Sequence, residues 1–70
     1  MKTELTQLGK REKQVLALAA LGLKTNIIAK QLSISEDTVR FHLKKINQKL
    51  NSRNRTHAVA IAIKSGIITI

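Results

Sequence analysis

Ser35-Glu-Asp-Thr-Val-Arg-Phe-His-Leu-Lys-Lys-Ile-Asn-Gln-Lys-Leu50 carries two patterns on one run of residues. At about 100° per residue, Val39, Leu43, Ile46 and Leu50 fall on one narrow stripe, which predicts a helix anchored along that stripe to a core. Arg40, Phe41, Lys44 and Gln48 point the other way. Phe41 is the chain's single Phe, in a sequence with no Tyr or Trp, and a small domain is expected to bury such a residue; periodicity places it outside. Ser35 suits the N-cap, where its hydroxyl accepts from an unpaired first-turn N–H, and Glu36 and Asp37 suit the positive end of the helix dipole. From Thr38 to Arg55 the chain has six Lys or Arg residues and no acid. Such a face has the layout of a helix that enters a DNA groove, with a merely solvated face as the plain alternative.

Composition favours a polyanion-binding face over a merely solvated one, without saying which polyanion. Thirteen Lys and Arg against four Asp and Glu give a formal charge of +9 in 70 residues, a field that attracts polyanions such as nucleic acid or an anionic membrane surface. With 43% apolar and only 24% charged residues, the chain is not a disordered basic tail and is expected to fold. Its length makes one domain, burying only about 60% of the surface of its unfolded chain. Without cysteine it has neither disulfides nor thiolate metal sites. No apolar run approaches the ~20 residues of a membrane span, and the start lacks the apolar core of a secretory signal. The expectation is a soluble, cytoplasmic protein with no membrane partner.

Residues 1–7 are polar and read as a flexible N-terminal arm, with the domain over 8–70. Leu8, Glu12, Val15, Leu16 and Ala19 share one face of a helix over 10–20, which Gly22 closes as a left-handed cap. A short helix over 26–32 turns Ile28, Ala29 and Leu32 to one side, with Thr25 as its expected cap. Ser33-Ile34-Ser35 is long enough only for a turn, with Ile34 filling the space between its helices. Two helices joined so briefly, the second basic and amphipathic, make a helix-turn-helix. Recognition helix 36–50 then ends in the polar break Asn51 to Asn54.

The last segment is ambiguous by pattern. Val59, Ile61 and Ile63 alternate with alanines, and Lys64-Ser65-Gly66 suits a hairpin toward Ile67-Ile68-Thr69-Ile70. A helix over 55–65 is the preferred reading, because Asn54 caps it, Gly66 ends it and alanines are strong helix formers. That helix would be apolar over most of its circumference. One core covers only one side of it, so Val59, Ala60 and Ile63 are candidates for self-association, against the plainer reading that small alanines tolerate water.

Leu8-Gly-Lys-Arg-Glu-Lys-Gln-Val-Leu16, Gly22-Leu23, Ile28-Ala29-Lys-Gln-Leu32, Ile34-Ser35-Glu-Asp-Thr-Val-Arg-Phe-His42, Lys49-Leu50 and Asn54-Arg-Thr-His-Ala-Val59 together resemble the LuxR/GerE-type helix-turn-helix domain. The resemblance runs from about Leu8 to Gly66. It implies an all-α, four-helix DNA-binding domain of bacterial transcriptional regulators, with double-stranded DNA as partner and a homodimer built by the fourth helix. It also implies that residues at the positions of Arg40, Phe41 and Lys44 approach bases or phosphates in the major groove, with Thr38 and His42 near the DNA backbone.

Chemistry adds to those roles. Arg40 suits a two-bond contact to guanine O6 and N7, and Phe41 suits thymine methyls. Lys44 suits a phosphate or a guanine. Lys45 and Lys49, turned toward the flank, are expected to meet phosphates and supply affinity without sequence information. Asp37 lies on the outward face, either accepting from a cytosine amino group or simply stabilising the helix N-terminus. Ser35 and Gln48 complete the set on this helix.

The chain also departs from the family pattern. Gly9-Lys10 stands where Thr or Ser followed by Pro is usual, so the first helix is expected to fray. Lys24, Thr25 and Ile27 replace the usual Ser, Asn and Glu and remove the capping box before the second helix. Phosphate contacts there then fall to Lys24 and Thr25.

An enzyme is not expected. His42 and His57 are the only histidines, and with four acids and no cysteine no nucleophile–base set, metal cluster or cofactor site assembles. Glu12 reads as structural, with Arg55 as a candidate ion-pair partner. Two other functions stay open: the promoter-binding end of a sigma factor held by RNA polymerase, and a helical module that pairs with a larger regulator.

Overall fold

The computed structural model describes residues 8–69. Four helices and no strand occur among them: α1 Lys10–Ala20, α2 Thr25–Leu32, α3 Glu36–Leu50 and α4 Arg55–Lys64. The all-α, four-helix expectation holds, and the hairpin alternative for the last segment does not. The expected arm over 1–7 lies outside the described residues.

α1 and α3 form the centre. Each packs against the other and against α2 and α4, whereas the backbones of α2 and α4 do not come close. Val15 and Leu16 of α1, Ile28 of α2, Val39 and Ile46 of α3, and Ala58 and Ala62 of α4 are completely buried. The stripe read from periodicity is therefore the core face of α3, with Leu50 buried beside it and Leu43 partly buried at its margin. On α4 the inward residues are the two alanines, whose small side chains let its backbone approach α1 and α3 closely. Ile68 folds back to close the core after the helix ends.

The turns follow from backbone chemistry. Gly22 takes φ 84° and Gly66 φ 78°, the left-handed conformation in which a Cβ is disfavoured. At each, two backbone bonds close the helix: Gly22 N–H to Ala19 and Leu23 N–H to Leu18, then Gly66 N–H to Ile63 and Ile67 N–H to Ala62. The second closure is what turns the chain after Ser65 without forming a hairpin. Ser33 and Asn51 adopt the same left-handed conformation without being glycine, at φ 58° and 54°.

The helix starts differ from expectation in detail. α2 begins at Thr25, one residue early, and its N-cap position is Lys24, which makes no side-chain cap bond. The Thr25 hydroxyl instead accepts from Arg55 Nη2 at 3.1 Å, tying the start of α4 to the start of α2. α4 ends at Lys64, with Ser65 as the cap. The start of α1 is held despite its missing cap residue, because the Glu12 carboxylate reaches back to accept from Gly9 N–H at 2.9 Å, the reciprocal half of a capping box.

Candidate nucleic-acid interface

α3 starts sharply. Ser35 Oγ accepts from Thr38 N–H at 3.0 Å and shares a 2.8 Å hydrogen bond with the Thr38 hydroxyl, which fixes both hydroxyls at the first turn. Beyond that turn the outward residues Arg40, Phe41, Lys44, Lys45 and Gln48 are all exposed. Phe41 keeps 57% of its surface accessible, so periodicity placed the single aromatic residue correctly. Lys45 Nζ lies 5.9 Å from its ring centroid, within cation–π range, and the His42 ring stands edge-on to it at 6.0 Å.

Arg40 is not free. Its Nη1 donates to Asp37 Oδ1 at 2.8 Å and its Nη2 to Glu36 Oε1 at 3.2 Å. Asp37, 94% exposed, thus does more than complement the helix dipole. Behind Arg40, a shallow trough is lined by Arg40, Leu43, Lys44, Asn47, Gln48 and Ser52. Its far end is braced by Ser52 Oγ donating to Asn47 Oδ1 at 2.6 Å. Asn47 and Ser52 were not among the candidates from sequence; both are polar and close to the stripe, and only the fold shows them on the trough.

Two expectations change. Lys49 does not extend toward the flank: its Nζ donates to Glu12 Oε1 at 2.9 Å, in an ion pair with side chains 35% and 11% exposed. The Glu12 partner is therefore Lys49 and not Arg55. Burial works against the Glu12 charge, yet the Lys49 ammonium, the Gly9 N–H and the nearby His42 together hold its carboxyl below the ordinary carboxylate range. The ammonium is thus drawn toward Glu12, with two of its three N–H donors left for other acceptors.

The remaining candidates lie elsewhere. Lys24 borders a second groove with Ala19, Ala20, Gly22, Leu23, Arg55, Thr56 and Val59, and Thr25 is bonded to Arg55 beside it. Neither lines the trough along α3. On α4, Ala60 and Ile63 are exposed and Val59 is half-buried. His57 is used locally: its Nδ1 accepts from Arg53 N–H at 3.1 Å while Asn54 Oδ1 accepts from His57 N–H at 2.9 Å. Among the described residues no group of three or more His, Cys, Asp or Glu side chains comes together as a metal site. No described helix is long and apolar enough to cross a membrane.

Comparison with known proteins shows the family of the chain. Residues 6–62 match GerE, the luxR family of bacterial regulatory proteins. The transcriptional regulatory protein YdfI of Bacillus subtilis is 48% identical over 65 residues, covering 93% of this chain and 30% of that protein. The transcriptional activator protein LuxR of Aliivibrio fischeri is 48% identical over 61 residues, covering 87% of this chain and 24% of that protein. Among solved structures, the transcription factor GerE superposes with a TM-score of 0.81 at 36% identity, covering 84% of this chain and 88% of its own. SdiA, solved in complex with octanoyl-rac-glycerol, gives 0.87 at 39% identity, covering 99% of this chain and 28% of its own. The chain thus spans less than a third of these curated relatives, while matching nearly all of GerE. By sequence match and by fold, this chain belongs to the LuxR family of bacterial regulatory proteins, as a helix-turn-helix DNA-binding domain.

Proposed function

We propose that this domain reads double-stranded DNA by laying α3 in the major groove, and that it acts on two half-sites as a dimer joined through α4 to regulate transcription in the bacterial cytoplasm. The observation that carries the reading is the exposed row Arg40, Phe41, Lys44, Lys45 and Gln48 on a 15-residue helix whose opposite face is locked into the core. A helix of this size fits a groove about 12 Å wide, and its donors and one aromatic ring match the acceptors and methyl groups displayed there. Ser35, Thr38 and His42 flank the row, where they suit the sugar-phosphate backbone. Lys24, beside the start of α2, suits a phosphate at the edge of the footprint. Exposed Ala60 and Ile63 with half-buried Val59 give α4 an apolar outer face, suited to pairing two copies about one helical turn of DNA apart.

Selection of bound sites from a random duplex pool at near-physiological salt tests this reading, with an Arg40→Ala/Phe41→Ala protein as control. A two-fold symmetric motif that the control loses is the expected outcome. Binding that is equally sequence-blind in both proteins would overturn it.

A further inference from the structure

Asn47 and Ser52 lie where α3 gives way to the polar break, and they are bonded to each other twice. Ser52 N–H donates to the Asn47 backbone oxygen at 2.9 Å, and Ser52 Oγ donates to Asn47 Oδ1 at 2.6 Å. The left-handed turn at Asn51, φ 54°, brings Ser52 back over the last turn of the helix. Ser52 thereby fixes the way the Asn47 amide faces. Its oxygen is held, while its nitrogen, with two N–H donors, has no acceptor among the described residues. No described side-chain nitrogen or oxygen outside the exposed residues is both buried and unpartnered, so the amide nitrogen of half-buried Asn47 is open to solvent.

The trough that Asn47 and Ser52 line with Arg40, Leu43, Lys44 and Gln48 has no acidic side chain on its wall. Arg40 and Lys44 bring positive charge to it, and half-buried Leu43 gives it one apolar surface. Position along the helix then separates its residues. A recognition helix reaches base edges through its N-terminal residues, and Asn47 stands two turns beyond Arg40, about 10 Å further along the axis. What lies beside the trailing end of such a helix is the sugar-phosphate backbone at the wall of the groove, whose phosphate oxygens accept hydrogen bonds from neutral amides as well as from cations.

We infer that Asn47 is a further DNA-binding residue, donating through its amide nitrogen to one backbone phosphate as α3 leaves the groove, and that Ser52 is the positioning residue that holds the amide for it. This rests on the reading of α3 as the groove-entering helix. In that seat Leu43 packs on a deoxyribose, Lys44 supplies charge, and the amide supplies a directed bond. Such a contact adds affinity and fixes the register of the helix without carrying sequence information.

Methylphosphonate scanning tests the assignment. Each phosphate of the selected duplex in turn is replaced by its uncharged methyl counterpart, and equilibrium binding is measured for the parent, Asn47→Ala, Ser52→Ala and Arg40→Ala/Phe41→Ala proteins, with circular dichroism to show that the helices form in each. Asn47→Ala should weaken the selected duplex and a random-sequence duplex alike, about three- to tenfold, and leave the salt slope unchanged, because a neutral amide releases no counterion. At one phosphate of each half-site the methyl group should cost the parent protein about tenfold and the Asn47→Ala protein several-fold less. Ser52→Ala keeps the amide but frees it to turn, and should show a smaller loss centred on that same phosphate. Losses that simply add at every phosphate would overturn the inference, and so would a loss for Asn47→Ala confined to one base pair of the site. An Arg40→Ala/Phe41→Ala protein that keeps full affinity and preference for the selected duplex would instead remove the reading of α3 on which the inference rests.

Discussion

Glu12 shows how a single residue ties the helices together. It is the buried charged residue of the described chain, and its carboxylate joins Gly9 at the start of α1 to Lys49 near the end of α3. Its folded-state carboxyl lies below the ordinary value of 4.5. The stabilisation is therefore fully present above about pH 4.5 and is lost as pH falls through the lower folded value. Glu12→Gln keeps an acceptor for Gly9 but loses the charge, and should cost about 1–3 kcal/mol at pH 7. Denaturant midpoints measured from pH 7 to pH 3 should fall more for the parent protein than for the variant, so that the gap between them narrows in acid. Gly22 makes a second residue-scale case. An added Cβ there meets nothing within 4 Å, so the cost of Gly22→Ala is that of the left-handed backbone alone, about 1–2 kcal/mol. Ser33→Gly, at φ 58°, should change stability in the opposite direction by roughly 0.5 kcal/mol. Thermal melts of the two variants check both signs.

Elements were more legible in the sequence than the bonds between them. The period-3.6 stripe of Val39, Leu43, Ile46 and Leu50, the Ser35 cap and the Gly22 and Gly66 stops are local signals, and α1, α3 and α4 lie within a residue of where they point. The missing part was long-range. Lys49 sits beside Leu50 at the margin of the stripe, and nothing nearby shows that its flexible stem turns inward to an acid 37 residues away. Thr25 reads as a cap by residue type, but Arg55, 30 residues later, takes its hydroxyl. The two ion pairs of Arg40 were within local reach, at spacings of three and four residues, yet the sequence reading sets these acids only against the helix dipole and the cytosine edge. On α4 the alternation of alanine with branched residues suited helix and strand alike, and the completely buried Ala58 and Ala62 show why small residues recur there: they set the approach of the helix to the core. Ala62→Leu should therefore destabilise by about 1–3 kcal/mol through overpacking, whereas Ala60→Ser on the exposed side should shift stability by less than about 0.5 kcal/mol. Urea denaturation of the two variants separates the inner face of α4 from the outer.

At the scale of the whole molecule, the proposed reading assigns attraction to the basic charge and discrimination to α3. In that reading the exposed face of α3 is for DNA and the outer side of α4 for a second copy. Ile63, 39% exposed on that outer side, is the residue whose change should separate assembly from folding. Ile63→Asp should keep the melting behaviour of the parent while losing roughly tenfold or more in affinity for a duplex with two half-sites. Gel-shift titration against one- and two-site duplexes reads the difference; unchanged cooperativity would move the pairing surface off α4.

The most direct measurement of the central claim is the set of intermolecular nuclear Overhauser effects in a complex with the selected duplex, assigned on the Phe41 ring and the Lys44 and Gln48 side chains. The account predicts contacts from these protons to base protons and thymine methyls of the major groove. Contacts arising instead from the groove between α1 and α4, with the outer face of α3 silent, would contradict it.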